Sequence, residues 1–486
     1  MNLMMNIAMI IQCFIRPVIG LFAIVVLGLL PISSALSDGL WPLGEKVPVV
    51  TLSETYVPFK GKEEIANRPK LMIELGDAFL GTGQLDKGFE VPVIGAVWQP
   101  RLWSYLVNRA TFQTFDNHAP NTDRETEFAN RLDVFVNLQL TGTEKILLQL
   151  RPTDNNQPRR FSRYTFEGRE EGWENEINID VESLFFEGDL GSLVPNLDPA
   201  GTTMLDFGYS VGRQGVTFQE GIILNDTIDA VGFVRNNLVF PGTSNLRISG
   251  MWGWNRLDRN DRARSADSNM FGLFTFADTP VSTYNLDLIY VEDNSNSDGF
   301  YLGASAIQRL RKFGGISTAF RVNSSFALED EISGNVMGDG TLFTAEISST
   351  VKKSHDIVYM NLYAGIDNFT QAGREPILGG PLANTGILFA SPNLSTHGAE
   401  ITPFVDDTIG FATGYQAFWD HTRRNLILEL GTRKDYNGGE TDAVGAGFQL
   451  QQAVGQHVQL QLDGWYTFQD DGNDDSGARF EVLFVY

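Results

Sequence analysis

The chain has 486 residues, 42% hydrophobic and 11% aromatic, with 49 Gly, 34 Phe, one Cys and a formal net charge of -24. With 36 Lys+Arg against 60 Asp+Glu it has no basic footprint for nucleic acid. A lone cysteine, Cys13, excludes a disulfide framework and a Cys-ligated metal.

Arg16 precedes the apolar run Val18 to Leu30, and small residues follow at Ser33, Ser34, Ala35 and Ser37. This is the shape of a secretory signal peptide over residues 1–37, cleaved near Ala35 or Ser37. An uncleaved anchor is the alternative; Pro31 and the small-residue cluster favour cleavage. Cys13 would leave with the signal, and a mature chain without a thiol suits an oxidising compartment such as the periplasm. Residues 38–69, with Pro42, Pro48, Pro58 and Pro69, read as a periplasmic leader. Residues 70–486 read as one β-barrel. No later window approaches the roughly 18 consecutive apolar residues of a spanning helix. In a bilayer such a chain must therefore close a sheet on itself.

The cleanest hairpin runs from Asn130 to Leu140, turns at Thr141 to Glu144 and returns from Lys145 to Arg151. Leu132, Val134, Val136, Leu138 and Leu140 share one face; Arg131, Asp133, Asn137 and Gln139 take the other. Apolar-out, polar-in segments of about ten residues are those of a transmembrane barrel with a wet lumen. The pattern returns from Asn245 to Trp254, with Arg247 on the polar side, from Tyr284 to Tyr290, and from His457 to Trp465. Arg321 also falls between apolar neighbours. In the last strand Phe480, Val482, Phe484 and Tyr486 form an apolar stripe opposite Arg479 and Glu481. That stripe resembles the terminal signal of bacterial outer-membrane barrels, the closing edge read by the insertion machinery.

Short connections, Thr141 to Glu144 and Ala277 to Pro280, read as periplasmic turns. Long polar ones, Asp154 to Asn175, Arg256 to Ser268, Asp330 to Gly340 and Gln469 to Ser476, belong to the opposite end. At roughly 25 residues per strand and connection, the expected fold is an all-β, single transmembrane antiparallel barrel of about 18 strands, within roughly 16 to 20. The segment Phe369 to Pro403 breaks the rhythm with Pro376, Gly379, Gly380, Pro381, Pro392 and Pro403, and is expected to fold into or over the lumen.

One Gly-x-Ser-x-Gly match occurs, Gly208 to Gly212, but its flanks do not open the helix that a nucleophile elbow needs. The five histidines are scattered and no His-Glu-x-x-His appears, so neither an enzyme, a metal nor a cofactor is expected.

The stretch Leu205 to Phe233 carries a family resemblance. A strand leads into Gly212-Arg213-Gln214; the step Phe218-Gln219-Glu220-Gly221 and a strand with Asp226 and Asp229 follow. This resembles the core motif of alginate-export outer-membrane barrels. The resemblance implies a single barrel with an Arg-rich and acid-rich lumen that exports an anionic polysaccharide. Arg213 shares parity with outward Phe207, Tyr209 and Val211, so a bulge at Gly212 and Gly215 is needed to aim it inward.

The expected pore-lining or selectivity residues are Arg131, Asp133, Arg213, Gln214, Arg247, Arg321, Arg479 and Glu481. The leading expectation is a bacterial outer-membrane channel that passes a polar, anionic polysaccharide by diffusion. The alternatives are a general or carbohydrate-selective porin for small solutes, and a structural or adhesive surface barrel. Outer-membrane lipid, the barrel insertion machinery and the polysaccharide or small polar solute are the expected partners.

Overall fold

The computed structural model describes residues 70–486 apart from 80–87, 117–123, 155–160, 169, 198–204, 260–263, 266, 295–296, 311–314, 329–336, 439–440 and 471–473. The signal and leader read over 1–69 lie outside the described residues.

Where apolar and polar residues alternate, an extended chain can show one face to lipid and the other to water. Eighteen wall strands form on that basis, the number expected. They are β1 (Arg101–Phe115), β2 (Glu125–Gln139), β3 in two pieces (Lys145–Leu150 and Ser162–Glu167), β4 (Val181–Asp189), β5 (Phe207–Phe218), β6 (Leu224–Leu238) and β7 (Asn245–Trp254). There follow β8 (Ser268–Asp278), β9 (Ser282–Asp293), β10 (Gly299–Leu310), β11 (Ile316–Ala327), β12 (Gly340–Thr350) and β13 (Ile357–Asp367). The last five are β14 (Thr408–Trp419), β15 (Arg424–Asp435), β16 (Ala443–Val454), β17 (Val458–Gln469) and β18 (Asp475–Val485). Successive strands pair antiparallel, and β18 pairs with β1 from Gly477↔Phe115 to Val485↔Val107, so the barrel closes.

Short connections such as 140–144, 279–281 and 455–457 join the strands at one end, and long ones, among them 168–180, 255–267 and 368–407, at the other. The asymmetry puts the short turns in the periplasm. Trp252, Tyr466 and Phe468 are exposed toward the loop end, Tyr415 and Trp419 toward the turn end, as girdles at both interfaces require. On β18, Phe480 and Phe484 are 44% and 37% exposed on the outer face, while Arg479 and Glu481 are buried on the inner one.

The first wall strand begins at Arg101. Ile73–Leu75 pairs with β1 at Leu102 to Ser104, and so continues along the edge of β1 below Tyr486. Tyr486 itself exchanges two backbone hydrogen bonds with Leu106, at 2.8 and 3.0 Å. The indole Nε1 of Trp103 donates to the Asp77 carbonyl at 2.9 Å, with Phe79 edge-on to the ring.

Two pieces of chain occupy the lumen. The first is the tip of the β5–β6 hairpin. Its strands pair with β4 and β7 only as far as Arg213↔Leu184 and Ala230↔Gly253; beyond, they pair with each other and with Gly373–Arg374. The tip leans over the inner faces of the following strands: Phe218 stacks on Phe274, Gln219 donates to Asp287 at 2.7 Å, and Ile223, Leu224 and Ile228 bury among Met270, Ile289, Val291 and Tyr301. Gly212, at φ +123, stands where the hairpin leaves the wall, and a Cβ there would meet the Leu184 carbonyl oxygen at 2.4 Å. Gly212→Val is therefore expected to cost about 1–3 kcal/mol through strain and overpacking. A lowered temperature for the loss of heat-modifiable migration would register it; an unchanged temperature would show that β4 yields.

The second piece is the segment 368–407. Its Leu382, Leu388, Phe389, Ile401 and Val405 bury against inward Leu342, Tyr363, Ala412 and Ala443. Apolar side chains from a Pro- and Gly-rich stretch thus find a core inside the barrel, as the break in strand rhythm leads one to expect.

Candidate permeation constriction

Inside the barrel, carboxylates and guanidiniums on the inner strand faces fix the two intruding pieces. On the closing seam Arg109 of β1 holds Glu481 of β18 through Nε and Nη2 at 2.7 and 2.8 Å, and Nη2 also donates to the Pro392 carbonyl at 2.9 Å. Beside it, Arg479 reaches Asp463 of β17 through Nε and Nη2, both at 2.8 Å. Glu127 accepts from Ser395 at 2.9 Å; Asn361 donates to the Thr385 carbonyl at 2.7 Å. Glu429 accepts the backbone N–H groups of Ile387 and Leu388 at 3.0 and 2.9 Å and the Tyr359 hydroxyl. Arg433 donates to the Thr402 and Phe404 carbonyls at 3.2 and 2.6 Å. The loop is thus pinned to β1, β2, β13 and β15, and the ring of His397 lies edge-on to Phe115 of β1 and Trp465 of β17.

The hairpin tip is pinned on another side of the lumen. Glu220 pairs with Arg321 of β11 at 2.5 Å, and Arg321 also holds Glu346 of β12 at 2.5 Å. Toward the loop end Arg151 gathers four carboxylates: Glu375 at 2.8 Å, Asp133 at 3.0 Å, Glu182 at 3.4 Å and Asp154 at 3.5 Å. Because Glu375 belongs to the loop, this cluster ties it to the wall. Arg131 adds a second cation on Asp133 at 2.7 Å.

Toward the periplasm the inner wall is lined with amides. Gln451 donates to Gln449 and Gln461 at 3.2 and 2.9 Å, Asn425 donates to Gln451 at 3.1 Å, and Gln461 donates to Asp463 at 3.0 Å. Arg247 of β7 is exposed on the inner face with its guanidinium 4.7 Å from the Phe276 ring centroid, and makes no ion pair with the described residues.

Of the eight residues expected from the sequence, Arg131, Asp133, Gln214, Arg247, Arg321, Arg479 and Glu481 lie on the inner face. Arg213 does not. The register runs from Phe207 to Phe218 with no bulge, so Arg213 keeps the outward parity of Phe207 and Val211. It is tied to Asp229 at 2.9 Å and to the Val181 carbonyl at 2.9 Å. Gln214 is buried and donates to the Ala230 carbonyl at 3.3 Å. The structure adds Arg109, Arg151, Glu220, Glu375 and Glu429 to the inner network. Ser210 sits mid-strand in β5, without the strand-to-helix turn of a nucleophile elbow.

No protein-family model matches this chain, and no curated protein matches it. Solved structures do. OccK11 (OpdR) of Pseudomonas aeruginosa superposes with a TM-score of 0.52 at 11% identity, over 79% of this chain and 95% of that one. A BenF-like porin from Pseudomonas fluorescens Pf-5 gives 0.53 at 9%, over 79% and 98%. OccAB3 of Acinetobacter baumannii gives 0.52 at 10%, over 79% and 99%. Identities this low establish the fold. Closed, apolar outside and polar within, the chain is a transmembrane β-barrel of the bacterial outer membrane. Its fold is that of the porins. These likenesses lend no support to the alginate-export resemblance of Leu205 to Phe233 beyond the barrel itself.

Proposed function

We propose that the barrel is a porin for small polar solutes that carry a carboxylate, the small-solute alternative of the sequence reading in place of polysaccharide export. The observation that carries this reading is the double occupation of the lumen by the hairpin tip and the loop 368–407, which narrows it against a polymer. Inward carboxylates such as Glu481, Asp463 and Asp133 are already matched to arginines. The exposed guanidinium of Arg247 and the amides of Gln449, Gln451 and Gln461 then offer weak, successive steps to a hydroxylated anion. A solved structure of OccK2 (OpdF) from Pseudomonas aeruginosa is a complex with glucuronate; it superposes at a TM-score of 0.53 and 10% identity, over 79% of this chain and 97% of that one. Glucuronate is accordingly the first solute to test.

In planar bilayers the purified barrel is expected to conduct, and glucuronate to interrupt the current reversibly while long oligouronates do not pass. Translocation of long oligouronates would restore the polysaccharide reading; a folded barrel without conductance would favour the structural one. Arg247→Glu is expected to move the reversal potential in a salt gradient toward cations and to shorten the glucuronate events. If both stay as in the parent chain, Arg247 does not face the conducting path.

A further inference from the structure

On the periplasmic side, the inner faces of β1 to β4 carry an apolar patch. Tyr105 of β1 stands opposite Phe135 of β2, with the inward parity of Arg131 and Asp133. One row nearer the periplasm, Trp103, Leu147 and Phe185 align across Asn137 on the same face. The rings of Tyr105 and Phe135 stack with centroids 4.7 Å apart and planes 14° apart. Phe79 already stands edge-on to Trp103, while Tyr105, Phe135, Leu147 and Phe185 are half-buried and keep surface toward the lumen. Across the seam, on β16 and β17, the inner positions are the amides Gln449, Gln451 and Gln461. A wet lumen asks for polar side chains, so apolar ones gathered on its wall mark a surface with an occupant.

Polar atoms border the patch. The Tyr105 hydroxyl makes no hydrogen bond among the described residues. Gln149, the cross-strand neighbour of Phe135, donates through Nε2 to Asp133 at 3.0 Å and leaves its Oε1 unused. Neither the hydroxyl nor that carbonyl oxygen is occluded from solvent. An aromatic surface edged by a hydroxyl and an amide carbonyl matches a small ring that shows C–H groups on its face and hydroxyls around its rim. An open-chain polyol or acid has the hydroxyls without the fixed face. An aromatic solute has the face without the hydroxyl rim.

We infer that the Tyr105–Phe135 patch is a subsite for a pyranose ring, which lays its C–H face on the patch and turns its rim hydroxyls to Tyr105 Oη and Gln149 Oε1. The subsite rests on the porin reading for the route of the solute. It narrows the class from small polar solutes to cyclic sugars and uronates, preferred over their open-chain counterparts.

Saturation-transfer NMR on the detergent-solubilised full barrel, alongside conductance of the same preparation, tests this with two pairs of probes: D-glucose against sorbitol, and D-glucuronate against D-gluconate. Each ring is expected to bind about fivefold more tightly than its open-chain counterpart. Phe135→Leu keeps an apolar side chain and removes the flat face, so it should weaken the rings by about fivefold and erase the preference. Phe135→Trp should hold ring binding within about twofold of the parent chain. Heat-modifiable migration of each variant confirms that it is folded. Absence of ring binding, equal binding of ring and open chain, or a preference that survives Phe135→Leu would overturn the subsite. Any of these in a barrel that conducts leaves the porin reading intact. A barrel that shows the preference, and its loss in Phe135→Leu, without conducting overturns the porin reading and leaves the subsite.

Discussion

Removing the inner part of the 368–407 loop is expected to raise single-channel conductance several-fold and to abolish glucuronate block. The excision can be made cleanly, because the Leu382 N–H donates to the Pro403 carbonyl at 2.9 Å, so residues 383–402 can be replaced by a short Gly-Ser link with little closure cost. What leaves with them is the material that fills the lumen: Leu388, Phe389 and Ile401, and the Ser395, Leu388 and Pro392 groups held by Glu127, Glu429 and Arg109. Those three wall side chains are then released to water rather than stranded, so the wall should survive. The inner faces of Tyr363 and Ala412 become wet, which lowers stability without opening the strand ladder. A folded deletion variant with unchanged conductance would show that the conducting path avoids the loop and would remove the main support for a small-solute limit.

The second large effect is expected at Arg151. Its guanidinium serves Asp133, Asp154, Glu182 and Glu375 together, and its side chain is 5% exposed. Arg151→Met removes the cation that four buried carboxylates share, leaving among others Arg131 on Asp133 and Arg256 at 4.0 Å from Glu182. Breaking a buried ion pair from one side typically costs about 3–5 kcal/mol. The midpoint of urea unfolding in detergent should fall accordingly, and Glu375→Gln in the same chain should return part of the loss by removing one of the crowded negative charges. Should Arg151→Met unfold at the parent midpoint, the cluster is hydrated and contributes little. The same reasoning alters what a charge reversal at Arg131 or Arg321 would report. Both are clamped, Arg131 on Asp133 and Arg321 between Glu220 and Glu346, so reversal there perturbs the scaffold before it perturbs selectivity.

The wall was legible in the sequence because strand parity is local. Leu132 to Leu138 against Arg131 and Asp133, or Phe480 to Phe484 against Arg479 and Glu481, declare their faces within a few residues. The intruding loop was legible for a related reason: Phe369 to Pro403 offers no alternation to build a strand from. Partners were not legible, since they depend on closure. Arg109 and Glu481 are 372 residues apart and meet only because β18 returns to β1. Arg151 meets Glu375 across 224 residues, through a loop whose path parity cannot give. The stretch Gly212-Arg213-Gln214, read from the sequence as part of a family resemblance, has a structural role which that reading did not give it. Its glycine with φ +123 marks the place where two wall strands depart inward, while Arg213 stays on the outside, bound to Asp229 and the Val181 carbonyl.

The short pairing of Ile73–Leu75 with Leu102 to Ser104 has a consequence for how copies of this barrel avoid one another. A strand edge with free N–H and C=O groups is a template for any passing chain. Below Tyr486 the edge of β1 would be such a template, placed at the seam and directed toward the crowded periplasmic side. Three residues from the beginning of the described chain cover it. A chain lacking 70–79 is therefore expected to aggregate at the seam even where its lumen is intact.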